Sequence, residues 1–173
     1  LQFHDIGHGW TVESFGIKFE PNWNKVDPST VPGESVEYLT EIKGKRGLFD
    51  DKPINTNFCM SSPGARKRFV NYVSDYVESH ANIDYVHVWL ADGDKNHCEC
   101  EECRKKRPSD WYVMILNEID EKFTENNISM KVLFSFYVDT MFAPVEEKIK
   151  NPGRFSMSFC PISRDYLTSV TPD

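Results

Sequence analysis

Two hydrophobic periods alternate along the second half of the chain. Phe69, Val73 and Val77 recur on one face of a helix that Ser61 or Ser62 caps and that Pro63 opens. Tyr112, Leu116, Ile119 and Phe123 trace a second helix, capped by Ser109 and ending near Asn126-Asn127. Extended segments are predicted over 57–60, 84–92, 131–139 and 154–162, with a short helix over 144–150 before the last. In the third of them Val132, Phe134, Phe136 and Val138 point one way, and Leu133, Ser135, Tyr137 and Asp139 the other. In the fourth, Phe155, Met157 and Phe159 oppose Ser156, Ser158 and Cys160. Strands alternating with helices predict a parallel sheet joined by right-handed crossovers. An apolar face opposite a polar one suits a barrel better than a doubly wound sheet. The expected class is α/β, a partial (β/α)8 TIM-barrel-like domain with parallel strands and long loops at the carboxyl face.

Residues 1–56 break this rhythm. They are rich in Gly, Pro, Asn and charge, with a short helix predicted only over 31–42, around Tyr38 and Leu39, and read as long loops over a sheet edge. No repeat or linker divides the 173 residues, which read as one domain, 1–173. An abrupt start at Leu1-Gln2-Phe3-His4-Asp5 and a strand running straight into Thr171-Pro172-Asp173 suggest a fragment of a larger barrel, whose remainder would be its partner. A net charge of -7 argues against nucleic acid and anionic membrane surfaces, and Arg66-Lys67-Arg68 reads as a solvated helix face. No apolar run reaches the length of a membrane span and no leader opens the chain, so targeting is undefined.

The densest chemistry is Asn96-His97-Cys98-Glu99-Cys100-Glu101-Glu102-Cys103, just past a strand-like run ending at Asp92. Cys-x-Cys and Cys-x-x-Cys spacings let a short loop wrap several sulfurs around one soft tetrahedral ion, zinc first. A disulfide with a spare thiol and an iron–sulfur centre are the alternatives, although familiar iron–sulfur motifs are spaced differently. Five cysteines, an odd number with three clustered, fit metal binding and a reducing, cytoplasmic compartment better than a paired secreted scaffold. No phosphate loop, Gly-x-Ser-x-Gly elbow or His-Glu-x-x-His helix is present.

Gly7-His8-Gly9-Trp10-Thr11 with Phe15-Gly16-Ile17, His87-Val88-Trp89-Leu90-Ala91-Asp92-Gly93, the three clustered cysteines, Pro108-Ser109-Asp110 and Pro161-Ile162 together resemble the DUF4838 family of uncharacterised bacterial proteins. The resemblance spans nearly the whole chain. It implies a glycoside-hydrolase-type TIM barrel, distantly similar to α-glucuronidases and β-hexosaminidases. Members carry a cysteine followed shortly by Asn-Pro, matched here by Cys59-Met60-Ser61-Ser62-Pro63 with Ser in place of Asn. Adjacent parallel strands lie about 4.8 Å apart, so the end of the 57–60 strand would sit beneath the loop leaving Asp92. Cys59 would then join Cys98, Cys100 and Cys103 as fourth ligand, with His97 the rival, and a closed four-sulfur site would be structural.

Catalysis would fall to two carboxylates at strand ends, as in glycosidases generally. Asp92, followed by Gly93, is the first candidate and Asp139 the second, each with the alternative of a turn-forming residue; Asp94 and Glu13 stand behind them. A carbohydrate substrate would be bound by His8 and Trp10 of a Gly-flanked loop that also holds His4, and by Tyr137, His87 and Trp89 on the inner face. For His87 and Trp89 an ordinary packed pair is the reading that stands ahead of this role. A non-catalytic carbohydrate-binding barrel and a metal-stabilised scaffold are the competing functions.

Overall fold

The computed structural model describes residues 2–18, 24–80, 82–162, 165 and 167, so the chain ends at Leu1 and 171–173 lie outside the described residues. The elements are β1 (His4–Gly7), α1 (Trp10–Glu13), β2 (Glu41–Ile42), β3 (Lys45–Arg46), α2 (Pro63–Ser79), β4 (Tyr85–Val88), α3 (Pro108–Glu125), β5 (Lys131–Tyr137) and β6 (Phe155–Cys160). β1, β4, β5 and β6 form a parallel four-stranded sheet in the order β1-β4-β5-β6, and β2 pairs with β3 as an antiparallel hairpin. The protein is therefore mixed α/β with a parallel sheet. Among the described residues β1 and β6 are open edges, and the sheet does not close into a barrel.

Register sorts the side chains into two faces. Val86 beside Val132 and Val88 beside Phe134 lie in the buried core with Phe69, Val73 and Val77 of α2 and Tyr112, Leu116, Ile119 and Phe123 of α3. Each such side chain contributes about 1.5–3 kcal/mol by leaving water. Tyr112, fully buried, stays in this core because its hydroxyl donates to the Val88 carbonyl at 2.5 Å. The alternate rows carry His4 beside Tyr85, His87 beside Leu133 and Ser156, Ser135 beside Ser158, and Tyr137 beside Cys160. These residues are partly accessible except for exposed His4, and they form the open face of the sheet.

Several sequence expectations need correction. The segment 57–60 is not a strand of this sheet: Phe58 makes a single antiparallel bridge to Leu39, both fully buried. The place beside β4 belongs to β1, from a region read as loop. β1 alternates polar and small residues with one exposed apolar, Ile6, so no apolar period marks it. The 31–42 helix is a 3-10 helix over Gly33–Tyr38. No helix forms over 144–150, because side chains of α3 take up its backbone: Asp110 accepts the N–H groups of Val145, Glu146 and Glu147, and Asn117 brackets Lys148 and Lys150. Ser62 caps α2 through the Ala65 N–H as expected, whereas α3 is opened by Arg107 and Pro108 and leaves Ser109 buried in its first turn. No helix among the described residues is long and apolar enough to cross a membrane.

Candidate functional site

Cys59 follows the Phe58 bridge and is held by its own N–H on the Tyr38 carbonyl at 2.7 Å. Cys98, Cys100 and Cys103 come from the connection between β4 and α3, which a 3-10 turn over Cys103–Lys105 closes. The four Sγ atoms all lie within 4.8 Å of one another. Cys59 is 3.7 Å from Cys100 and 3.8 Å from Cys103, and none of the cysteines is in a disulfide. A tetrahedron with metal–sulfur bonds of about 2.3 Å has edges of about 3.8 Å, so the spacing is that of ligands around one ion. His97, the rival ligand, is outside this group, and burial drops its pKa to about 4.

Polar groups close around the sulfurs. Backbone N–H groups of Glu41 and Ser61 donate to Cys98 at 3.3 Å and to Cys103 at 3.4 Å, and the Arg46 guanidinium reaches Cys98 at 3.8 Å. Hydrogen bonds from Cys103 and Cys98 hold Cys59 far below an ordinary thiol, and the bond to Cys59 pushes Cys103 far up in return. The Cys100 pKa is lowered with that of Cys59 while Cys98 is raised with Cys103, so the four thiols titrate together, and a divalent cation would displace the protons they hold. Four sulfurs fill a tetrahedral shell and leave no position for water, the pattern of a structural site. The hairpin β2–β3 backs it: Glu99 N–H donates to the Glu41 carbonyl, and Lys43 N–H to the Glu99 carboxylate, each at 2.7 Å.

A second cluster lies where β1 and β4 run out at their carboxyl ends. His8 Nε2 is 3.6 Å from Asp92 Oδ2, and its ring meets Trp89 edge-on at 5.8 Å. Trp89 in turn lies 5.5 Å from the His87 ring, whose Nε2 is 2.9 Å from Nδ1 of His4. Burial, then the neighbouring His4, lowers the His87 pKa, so this imidazole is neutral at pH 7. Among the described residues, Nδ1 of His87 and Nε1 of Trp89 are buried atoms without a hydrogen-bond partner. Tyr137 joins electrostatically: burial first, then the charges of Asp92 and Asp94, raise its pKa. Gly93 turns the chain after Asp92 with φ 95°, a conformation open to glycine.

The remaining candidates are placed differently. Asp139 Oδ2 accepts the Lys95 N–H at 2.6 Å, the turn-holding role open to it from the sequence. Trp10, expected to bind sugar beside His8, is 4% exposed and packs on Tyr72 and Tyr76 of α2, away from the open face. Glu13 is hydrogen-bonded by Tyr72 on that same side, and Asp94 is exposed beside Lys95. Sequence reading missed Arg46, which lies outside every cysteine motif, and the part of Ser61, which sits beside Cys59 but gives its N–H to Cys103 across the fold. No protein-family model matches the chain, and neither a curated protein nor a solved structure matches it significantly.

Proposed function

We propose that the chain belongs to a carbohydrate-active enzyme of glycoside-hydrolase type, built as part of a (β/α)8 barrel with a structural zinc ion. The observation that carries the reading is the convergence of His8, Trp89 and Asp92, from segments far apart in sequence, at the carboxyl end of parallel strands. That is the end at which barrels of this kind keep their chemistry. The indole and imidazole rings would pack against the apolar face of a pyranose, and the nitrogens of His87 and Trp89 that have no partner among the described residues would meet its hydroxyls. Asp92 and Asp139 would be the carboxylate pair, one protonating the leaving oxygen and the other acting as nucleophile or as base for water. Zinc would be held by Cys59, Cys98, Cys100 and Cys103 and would fix the loop leaving β4. It would take no part in the reaction.

One observation favours a second reading, a carbohydrate-binding module without turnover: an oxygen of Asp139 is committed to the Lys95 amide. Assays of the full-length protein on aryl glycosides and glycuronides decide between them. Turnover that falls by about 10²- to 10⁴-fold in Asp92→Asn, with folding and zinc content intact, supports the enzyme. Sugar binding without turnover supports the module. Full activity in Asp92→Asn overturns the assignment of Asp92.

A further inference from the structure

Asn96 stands between the sulfur cluster and Asp92. It is 1% exposed, and every hydrogen-bonding atom of its side chain is engaged. Nδ2 donates to the carbonyls of Asp92 at 2.7 Å and Asn55 at 2.9 Å, while Oδ1 accepts from Asn57 Nδ2 at 3.0 Å. Asn57, fully buried, uses its own Oδ1 to accept the Ala91 N–H at 3.1 Å. Two interlocked amides therefore grip the chain on both sides of the peptide that joins Ala91 to Asp92. The Asp92 N–H goes to the Ile54 carbonyl at 2.9 Å, so the backbone of this residue is tied at each polar group.

The other end of the network reaches the cysteines. The Thr40 hydroxyl donates to the Asn96 carbonyl at 3.2 Å, and the Thr40 N–H donates to the Asn57 carbonyl at 3.0 Å. Thr40 leads directly into Glu41, which donates its N–H to Cys98 Sγ at 3.3 Å and accepts the Glu99 N–H at 2.7 Å. Asn96 itself lies two positions before Cys98 on the same stretch of chain. Buried amides that lose a partner inside a protein find no water to replace it, so such a network holds one arrangement or is broken. Whatever orders the cysteine loop orders Asn96, and Asn96 orders Asp92.

We infer that Asn96 is a positioning residue that couples occupancy of the four-cysteine site to the placement of the Asp92 carboxylate against His8. The inference rests on reading the cluster as a metal centre and Asp92 as the working carboxylate. A metal lost from the cysteines would loosen the 96–103 stretch, release the Asn96–Asn57 clamp and let Asp92 drift from His8. The metal would then govern the sugar site without touching it.

The test compares wild-type protein and Asn96→Ala, each loaded with Co²⁺ or Zn²⁺ and each stripped by a chelator. Three readouts are followed: the cobalt–thiolate absorption, amide hydrogen exchange at Ala91 and Asp92, and the imidazole ¹⁵N signals of His8, which report its contact with Asp92. Stripping the wild type is expected to shift the His8 signals and to speed exchange at Ala91 and Asp92 at least tenfold. Loaded Asn96→Ala should keep one ion per chain and the thiolate absorption yet show the shifted His8 signals and fast exchange, and stripping it should add little, because two changes acting through one link are not additive. The inference is overturned if stripping the wild type leaves His8 and the two amides unchanged, if loaded Asn96→Ala matches wild type, or if Asn96→Ala fails to hold metal. The wild-type arm needs no variant to fold. Full turnover in Asp92→Asn would instead sink the functional reading and leave these signals as they are.

Discussion

Gly7 shows how one residue decides what its neighbours do. It closes β1, and a Cβ built there would collide with the Trp10 ring. The absence of a side chain lets Trp10 fold back under β1 and pack on Tyr72 and Tyr76, which removes that indole from the open face, where His8 meets Trp89 and Asp92. Gly7→Ala should therefore destabilise the protein by about 1–3 kcal/mol, the usual cost of forcing extra volume into a packed site. Urea denaturation measures it, and a variant as stable as wild type would show that Trp10 has room to move. The Gly-flanked loop looked like a sugar site because it combines an indole with imidazoles. Steric demand from a ring three residues on leaves no mark in composition.

Among the elements, α3 does more than cover the sheet. Its first turn carries Asp110, 1% exposed, and one oxygen of that carboxylate accepts N–H groups of Val145, Glu146 and Glu147 at 2.9, 2.8 and 2.9 Å. Burial works against the charge, but these donors outweigh it and hold the carboxyl below the usual carboxylate range. A carboxyl with a depressed folded-state pKa adds stability above its unfolded pKa and loses it as pH falls through the folded value. Wild type should lose this contribution on acidification below about pH 4, the ordinary range for Asp. Asp110→Asn should cost about 1.5–3 kcal/mol at pH 7, the worth of hydrogen bonds to a charged group, and the deficit should shrink toward pH 3. Thermal melts of both proteins across that range check it, and a deficit independent of pH would refute it. The same contacts explain what the sequence could reveal. The α2 and α3 faces and strands β4 and β5 were legible because each buries an apolar period, and β6 because its apolar residues alternate, although Met157 and Phe159 stand exposed. Segment 144–150 was misread as helix because its partners, Asp110 and Asn117, lie on another element. β1 escaped because its pattern is polar.

For the whole molecule, the cysteine cluster and the helix-covered sheet are separate sources of order. The core under α2 and α3 is assembled from residues of the helices, the sheet and the segments around Trp10 and Phe58, whereas the connection from 89 to 107 has little regular structure beyond the 3-10 turn at Cys103–Lys105. A connection of that length in a compact domain needs something else to hold it. The four sulfurs supply it, joining the loop to Cys59 and to the hairpin that bears Glu41 and Arg46. The three clustered cysteines were legible from spacing alone, and Cys59 from a motif match, but the sheet neighbour imagined for Cys59 was not: the residue arrives from the Leu39–Phe58 bridge. If the cluster holds a metal as proposed, its removal should therefore act locally. Chelation is expected to open 93–107 to a protease while far-ultraviolet circular dichroism keeps most of the α2 and α3 signal. Because thiolate ligation displaces protons, the same loosening should appear without chelator as pH falls, and it should reverse on neutralisation with Zn²⁺ present. Complete loss of helix on chelation would mean that the cluster supports the whole fold, and equal proteolysis with and without metal would mean that the loop stands on its hydrogen bonds.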